Sequence, residues 1–259
     1  MAKAKRQITS SAAARRLLLF AGNANTVEEA VERIVSRLLD GICSPPTDLE
    51  ALAKRVNVTG FLSEAIPVSG ELRRGDTGFT IVYSSALSGP RRRFTIAHEL
   101  GHAILEMTGR NCPRTGQDVE RVCDLLASEI LMPSNVFAEA ARGEPSTDTV
   151  LALTERFNAS LSAVCIRYAN LKKVAIFRAA RGQIEWRTGL VRYDPIDAES
   201  SELKSVILKS ATRPHGKEVI WLSTRTWVGY WSASWASLGD QRLFIVLPLY
   251  DVRKQSMIA

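Results

Sequence analysis

Apolar residues recur at steps of three and four along most of the first two thirds of the chain. Val27, Ala30, Val31, Ile34, Val35 and Leu38 fall on one face of a helix predicted over 26–41, and Gly41 stands where such a helix stops. The same period runs through 10–22. Ser44-Pro45-Pro46 breaks it, and Asp48 opens a short helix over 49–55. Residues 66–84 read as extended, because Thr80-Ile81-Val82-Tyr83 is β-branched and aromatic and lies between Gly78 and a Ser-Ser pair. Ser88-Gly89-Pro90 is a turn. Helices follow from Arg92 to Met107, from Asp118 to Met132, and over 147–157 and 160–170, separated by Gly109, Pro133 and the loop Gly143–Pro145.

From Val174 the pattern changes. Five short runs, 174–179, 183–188, 218–223, 226–235 and 242–249, read as strands, and all five tryptophans lie beyond this point. The pattern predicts an α+β chain in three parts: an N-terminal helical segment, 1–45; a mostly helical domain with a small sheet, 46–172; and a smaller β-rich C-terminal domain, 173–259. Trp227, Trp231 and Trp235 share one face in either a helix or a strand. Core packing is the plain reading of that stripe and a ligand pocket the sharper one.

Composition changes this picture little. The chain has 259 residues, a formal net charge of +7 and a pI near 9.4. No apolar run approaches the roughly 18 to 20 residues of a membrane span. Leu17–Ala21 is shorter than the core of a secretory signal, so a cytoplasmic location is expected. Cys43, Cys112, Cys123 and Cys165 form no paired framework and read as reduced, buried apolar residues. The longest basic cluster is Arg91-Arg92-Arg93, which fits a solvated surface better than a nucleic-acid track.

The chemistry concentrates at His98-Glu99-Leu100-Gly101-His102. The chain holds three histidines, and two of them stand in this HExxH pattern. Residues four apart on a helix share a face, so two imidazoles there can reach one zinc ion at about 2.0–2.1 Å. Glu99 flanks them without binding the ion and suits a general base acting on water.

A catalytic zinc site takes three protein donors, and several residues could supply the third. His215 is the remaining histidine. Glu106 lies about 12 Å along the helix axis from His98, too far for one ion to be shared easily. Asp118, Glu120, Asp124 and Glu129 lie on the following helix. Glu120 and Asp124 stack at the edge of its apolar face, where a carboxylate is partly desolvated and needs a cation or donor. Glu120 is the choice for third ligand. Asp124, one turn on, can accept the free ring N–H of a ligand histidine.

These residues carry a family resemblance. RRRFTIAHELGHAIL at 91–105 and ERVCDLLASEILMP at 120–133 resemble the ImmA/IrrE metallopeptidases, whose pattern is an arginine-rich lead-in, HExxH, and a glutamate ahead of a helix closing in Leu-Met-Pro. PTDLEALAKRVNV (46–58), GFTIVYSS (78–85) and the stretch Leu151–Leu171 are similar too, so the resemblance covers about 46–172. It implies a zincin-like metallopeptidase domain with one zinc ion per chain, held by His98, His102 and Glu120, with Glu99 as base. Glu-x-x-x-Asp at 120–124 also resembles the gluzincin pairing of a ligand with an orienting aspartate. Some relatives carry a sensor-like α/β domain at the C-terminus. Relatives cleave or inactivate bacterial helix-turn-helix repressors, in stress responses or mobile elements, which implies a repressor as the protein substrate.

Two other readings compete. Residues 147–171 can be read as helix, turn, helix in a DNA-binding regulator, although Ser162, Arg167 and Asn170 stand among mainly apolar positions and make a weak groove reader. A sensor or antitoxin-like partner with an assembly zinc is the third, and Glu99 speaks against it. Tyr83 and His215 are the candidates for stabilising an oxyanion.

Overall fold

The computed structural model describes residues 11–42, 44–109, 115–181, 183–189, 201–223, 228–251 and 256–257. The chain divides into two units, residues 1–139 with 155–160, and residues 140–154 with 161–259. Among the described residues no helix is long and apolar enough to cross a membrane.

In the first unit, α1 (Ala12–Phe20), α2 (Val27–Leu38) and α3 (Leu49–Arg55) precede β1 (Val58–Glu64), β2 (Gly70–Arg74) and β3 (Phe79–Ser84). Local chemistry sets the helix starts. Thr26 Oγ1 accepts from Glu29 N, and Asp48 Oδ1 accepts from both Glu50 N and Ala51 N, each filling donors that a first helical turn leaves unpaired. The α2 residues Val27, Ala30, Val31, Ile34 and Val35 are all buried, as their period requires.

The three strands form one sheet in the order β1-β3-β2, with β1 parallel and β2 antiparallel to β3. Ile81 and Val82 of β3, the central strand, are fully buried. β1 departs from the reading of the sequence. Its VTGFLSE holds a glycine and a register shift between Val58 and Gly60, which hide the alternation of a regular strand.

Two long helices follow, α4 (Gly89–Met107) and α5 (Gln117–Leu131), then the short α6 (Ser134–Ala140). Pro90 lies within the first turn of α4 rather than preceding it, since its fixed φ and missing N–H suit that position. α4 packs along α5 and also against β2 and β3. Leu100 and Ile104 are fully buried, as are Val122, Cys123, Leu126 and Ile130 of α5. Each such aliphatic side chain stabilises the fold by about 1.5–3 kcal/mol relative to exposure. Thr47 fastens this layer: its hydroxyl donates to Ile130 O at 2.7 Å, and its carbonyl accepts from Arg93 Nη2 at 2.8 Å. Glu129, buried in α5, accepts from Ser134 N and Oγ and caps α6.

α7 (Thr147–Phe157) and α8 (Leu161–Lys172) match the helices read from the sequence. In the second unit, β4 (Ala175–Ala180), β5 (Gln183–Gly189), β6 (His215–Ser223), β7 (Val228–Leu238) and β8 (Gln241–Asp251) form an antiparallel sheet in the order β5-β4-β8-β7-β6, with β9 (Ser256–Met257) beside β8. A helix, α9 (Ser201–Ser210), packs Leu203, Val206 and Ile207 against the face carrying Phe177, Trp231, Trp235 and Phe244. The sequence reading overlooked it among the β-branched runs. Trp231 and Trp235 are therefore core residues, and Trp227 lies outside the described residues. The whole is α+β, with a helical part ahead of a β-rich one.

Candidate metal centre

His98 and His102 project from the same face of α4 with ring centroids 5.1 Å apart, as their spacing of four dictates. α5 runs alongside and presents two carboxylates. His98 Nε2 is 3.1 Å from Glu120 Oε2, His98 Nδ1 is 3.0 Å from Asp124 Oδ1, and His102 Nε2 is 3.7 Å from Glu120 Oε1. Of the third-donor candidates, Glu120 is thus the one brought to both imidazoles.

The others are engaged or placed elsewhere. Glu106 pairs with Arg74 at 2.8 Å, and Arg74 lies over the Phe79 ring. Glu129 caps α6, and Asp118 faces Arg121. His215 lies exposed on β6 in the second unit. Tyr83 lies on β3 and is not among the residues lining the cleft described below.

Glu120 and Asp124, at the edge of the apolar face of α5, have side chains 51% and 58% exposed, against 16% and 18% for His98 and His102. The imidazoles form the floor and the carboxylates the rim. Cys123, read as a plain buried apolar residue, is buried, yet its Sγ and one nitrogen of each histidine all lie within 4.8 Å of one another. Its position gave a signal, since Glu120, Cys123 and Asp124 share a helix face.

The donors fit a small divalent ion. Bonds of about 2.0–2.1 Å place tetrahedral donors about 3.3 Å apart; Glu120 Oε2 lies 3.1 Å from His98 Nε2 and Glu120 Oε1 lies 3.7 Å from His102 Nε2, one carboxylate oxygen toward each imidazole. Two imidazoles and a carboxylate also suit zinc chemically.

Charge and burial tune the groups in different directions. Burial pushes the Glu99 carboxyl up to about 7; His98 opposes this, while Glu120 and Glu71 add to it. For His102, burial and the neighbouring His98 outweigh the nearby carboxylates and lower its pKa. Burial also pulls on His98, but the Asp124 hydrogen bond and the charges of Glu99, Asp124 and Glu120 prevail and raise its pKa.

These side chains open into a cleft of about 760 Å³. One wall is β2, through Gly70, Glu71 and Leu72; Phe94 and Leu105 of α4 supply apolar surface. β2 and not β3 borders the cleft as an edge strand, because β3 is paired on both sides. An extended chain adding to this sheet beside the histidines would meet β2, since β3 (Phe79–Ser84) is already paired to β1 and β2.

Residues 50–168 match the family model described as the IrrE N-terminal-like domain, in the peptidase M78 family. The chain is 37% identical over 93 residues to the radiation response metalloprotease IrrE of Deinococcus radiodurans, a match that covers 32% of this chain and 28% of that protein's length. A solved structure of a Mycobacterium tuberculosis transcriptional regulator aligns over 93% of both chains at 15% identity with a TM-score of 0.53, a likeness of fold.

Proposed function

We propose that this chain, whose residues 50–168 belong to the ImmA/IrrE family, is a zinc-dependent endopeptidase of zincin type, acting on a protein substrate. His98, His102 and Glu120 hold the ion, Asp124 orients His98, and Glu99 is the general base. The observation that carries this reading is the placement of Glu120 within 3.1 and 3.7 Å of the two imidazoles of the HExxH helix.

When bound, zinc lowers the pKa of a water ligand and polarises a carbonyl. The chain's own groups do the rest. Asp124 Oδ1 takes the Nδ1–H of His98, which fixes the tautomer with Nε2 free to donate its lone pair. Glu99, whose carboxyl burial pushes up to about 7 in the metal-free chain, would accept a proton from water and return it to the leaving amine. β2 offers unpaired backbone groups to an extended substrate, as strand addition requires. A helix-turn-helix repressor of a stress or mobile-element response is the substrate class we put forward. The DNA-binding alternative gains less support, since α8 exposes Ile166 and Leu171, which are apolar.

The test is co-expression of the chain with repressors encoded near its gene. A cut that appears with the natural chain and disappears in Glu99→Gln, with zinc still bound, supports the reading. Cleavage that persists in Glu99→Gln removes Glu99 as base, and intact repressors throughout remove the substrate class.

A further inference from the structure

Where β2 passes over α4, the backbone of Gly70 lies against the side chain of Glu99. A Cβ built on Gly70 would stand 2.5 Å from Thr95 Cγ2, 3.2 Å from Glu99 Oε1 and 3.3 Å from Glu99 Cγ. The first distance is one that real Cβ atoms do not adopt, and the other two are tight. Thr95 and Glu99 are one helical turn apart on α4, and both are buried, at 6% exposure each. The space that a side chain at position 70 would fill is therefore taken by the carboxyl and by the methyl group one turn before it.

We infer that Gly70 is a positioning residue for Glu99. Its lack of a side chain lets the edge strand press on the carboxyl, which keeps Glu99 in the cleft beside the histidines. Thr95 is the other half of the device, because its Cγ2 limits how closely β2 can approach. Gly70 pairs with Tyr83 in the register of β2 and β3, so the strand cannot retreat from an added methyl without disturbing that ladder. Relief has to come from α4, through the Thr95 methyl or the Glu99 carboxyl. The close approach is a tertiary contact: Gly70 stands twenty-five and twenty-nine positions before Thr95 and Glu99, and no local pattern announces it.

This rests on the proposed role of Glu99, and the test separates the two. Gly70→Ala is expected to keep a full equivalent of zinc, with chelator competition giving an affinity within about threefold of the natural chain. Its kcat on a cleaved repressor should fall roughly 10- to 100-fold, the scale of a misplaced catalytic group, with KM changing far less. In the Thr95→Ser background, which keeps Oγ1 and lacks Cγ2, the same substitution should cost several-fold less. A crystal structure of Gly70→Ala should show Glu99 Oε1 displaced by about 0.5 Å or more, on the scale to which reacting groups must be held, and this readout does not depend on cleavage. An undisplaced carboxyl, or a penalty identical in both backgrounds, overturns the inference. A displaced carboxyl in a protein that cleaves no substrate sinks the peptidase reading and leaves Gly70 as the residue that positions Glu99.

Discussion

Asp124 Oδ1 lies 3.0 Å from His98 Nδ1, and the residue that achieves this stands twenty-six positions further along the chain, on the neighbouring helix. With a metal ion on Nε2, this contact would receive the Nδ1–H of His98 and hold the ring in orientation. Asp124→Ala should leave the helices intact and lower zinc affinity about 10- to 100-fold, as loss of such a partner usually does. Chelator competition measures it. An unchanged affinity would make the contact incidental.

Glu120 reaches both imidazoles, while the Cys123 thiol lies on the same helix face within 4.8 Å of their donor nitrogens. Glu120→Ala should weaken zinc binding by roughly 100-fold, a one-ligand share of a typical site energy. Whatever binding survives should be lost on adding Cys123→Ser. If Cys123→Ser alone removes the metal and Glu120→Ala does not, the thiolate is the third donor.

The glycine of the HExxH helix has a spatial role. A Cβ at Gly101 would stand 3.2–3.3 Å from Cys123 Cα, Cβ and O, so the helices bearing the histidines and the carboxylates touch there through backbone. Gly101→Ala must part them by a few tenths of an ångström. The expected cost is about 1–3 kcal/mol of stability, as for other overpacked contacts, with weaker zinc binding alongside. Urea unfolding and metal competition would read the two effects separately.

Glu99 gives the metal-free protein a stability that depends on pH. Its folded pKa, about 7, is above its ordinary value of 4.5, so between these values the folded state binds more protons than the unfolded one. Stability therefore falls as pH rises from 4.5 to 7, and the penalty is fully present above that. Glu99→Gln should stabilise the metal-free protein at pH 8 by up to about 3 kcal/mol, read as a higher melting temperature, and have little effect near pH 4.5. Equal gains at both pH values would show that the carboxyl is not the source.

Much of the centre was legible in the chain. The spacing of His98 and His102, the helix that carries them, and the stacking of Glu120 with Asp124 all follow from a period of 3.6 residues. The start of α3 at Asp48 and the burial of α2 were readable for the same reason, since caps and amphipathic faces involve neighbours within one turn. α9 carried the same signal in Leu203, Val206 and Ile207 and was passed over because strands surround it. β1 was hidden by its glycine and its register shift.

The sequence by itself determined which side chains could share a helix face, because that geometry is local and repeats every turn. Only the tertiary structure decided which edge of the small sheet borders the cleft, that Glu106 pairs with Arg74, that the Cys123 thiol lies near the imidazole nitrogens, and that Gly70 presses on Glu99. Those outcomes join residues far apart in sequence. They depend on how whole elements pack, and nothing in the order of residues along one element records which atoms will meet it from another.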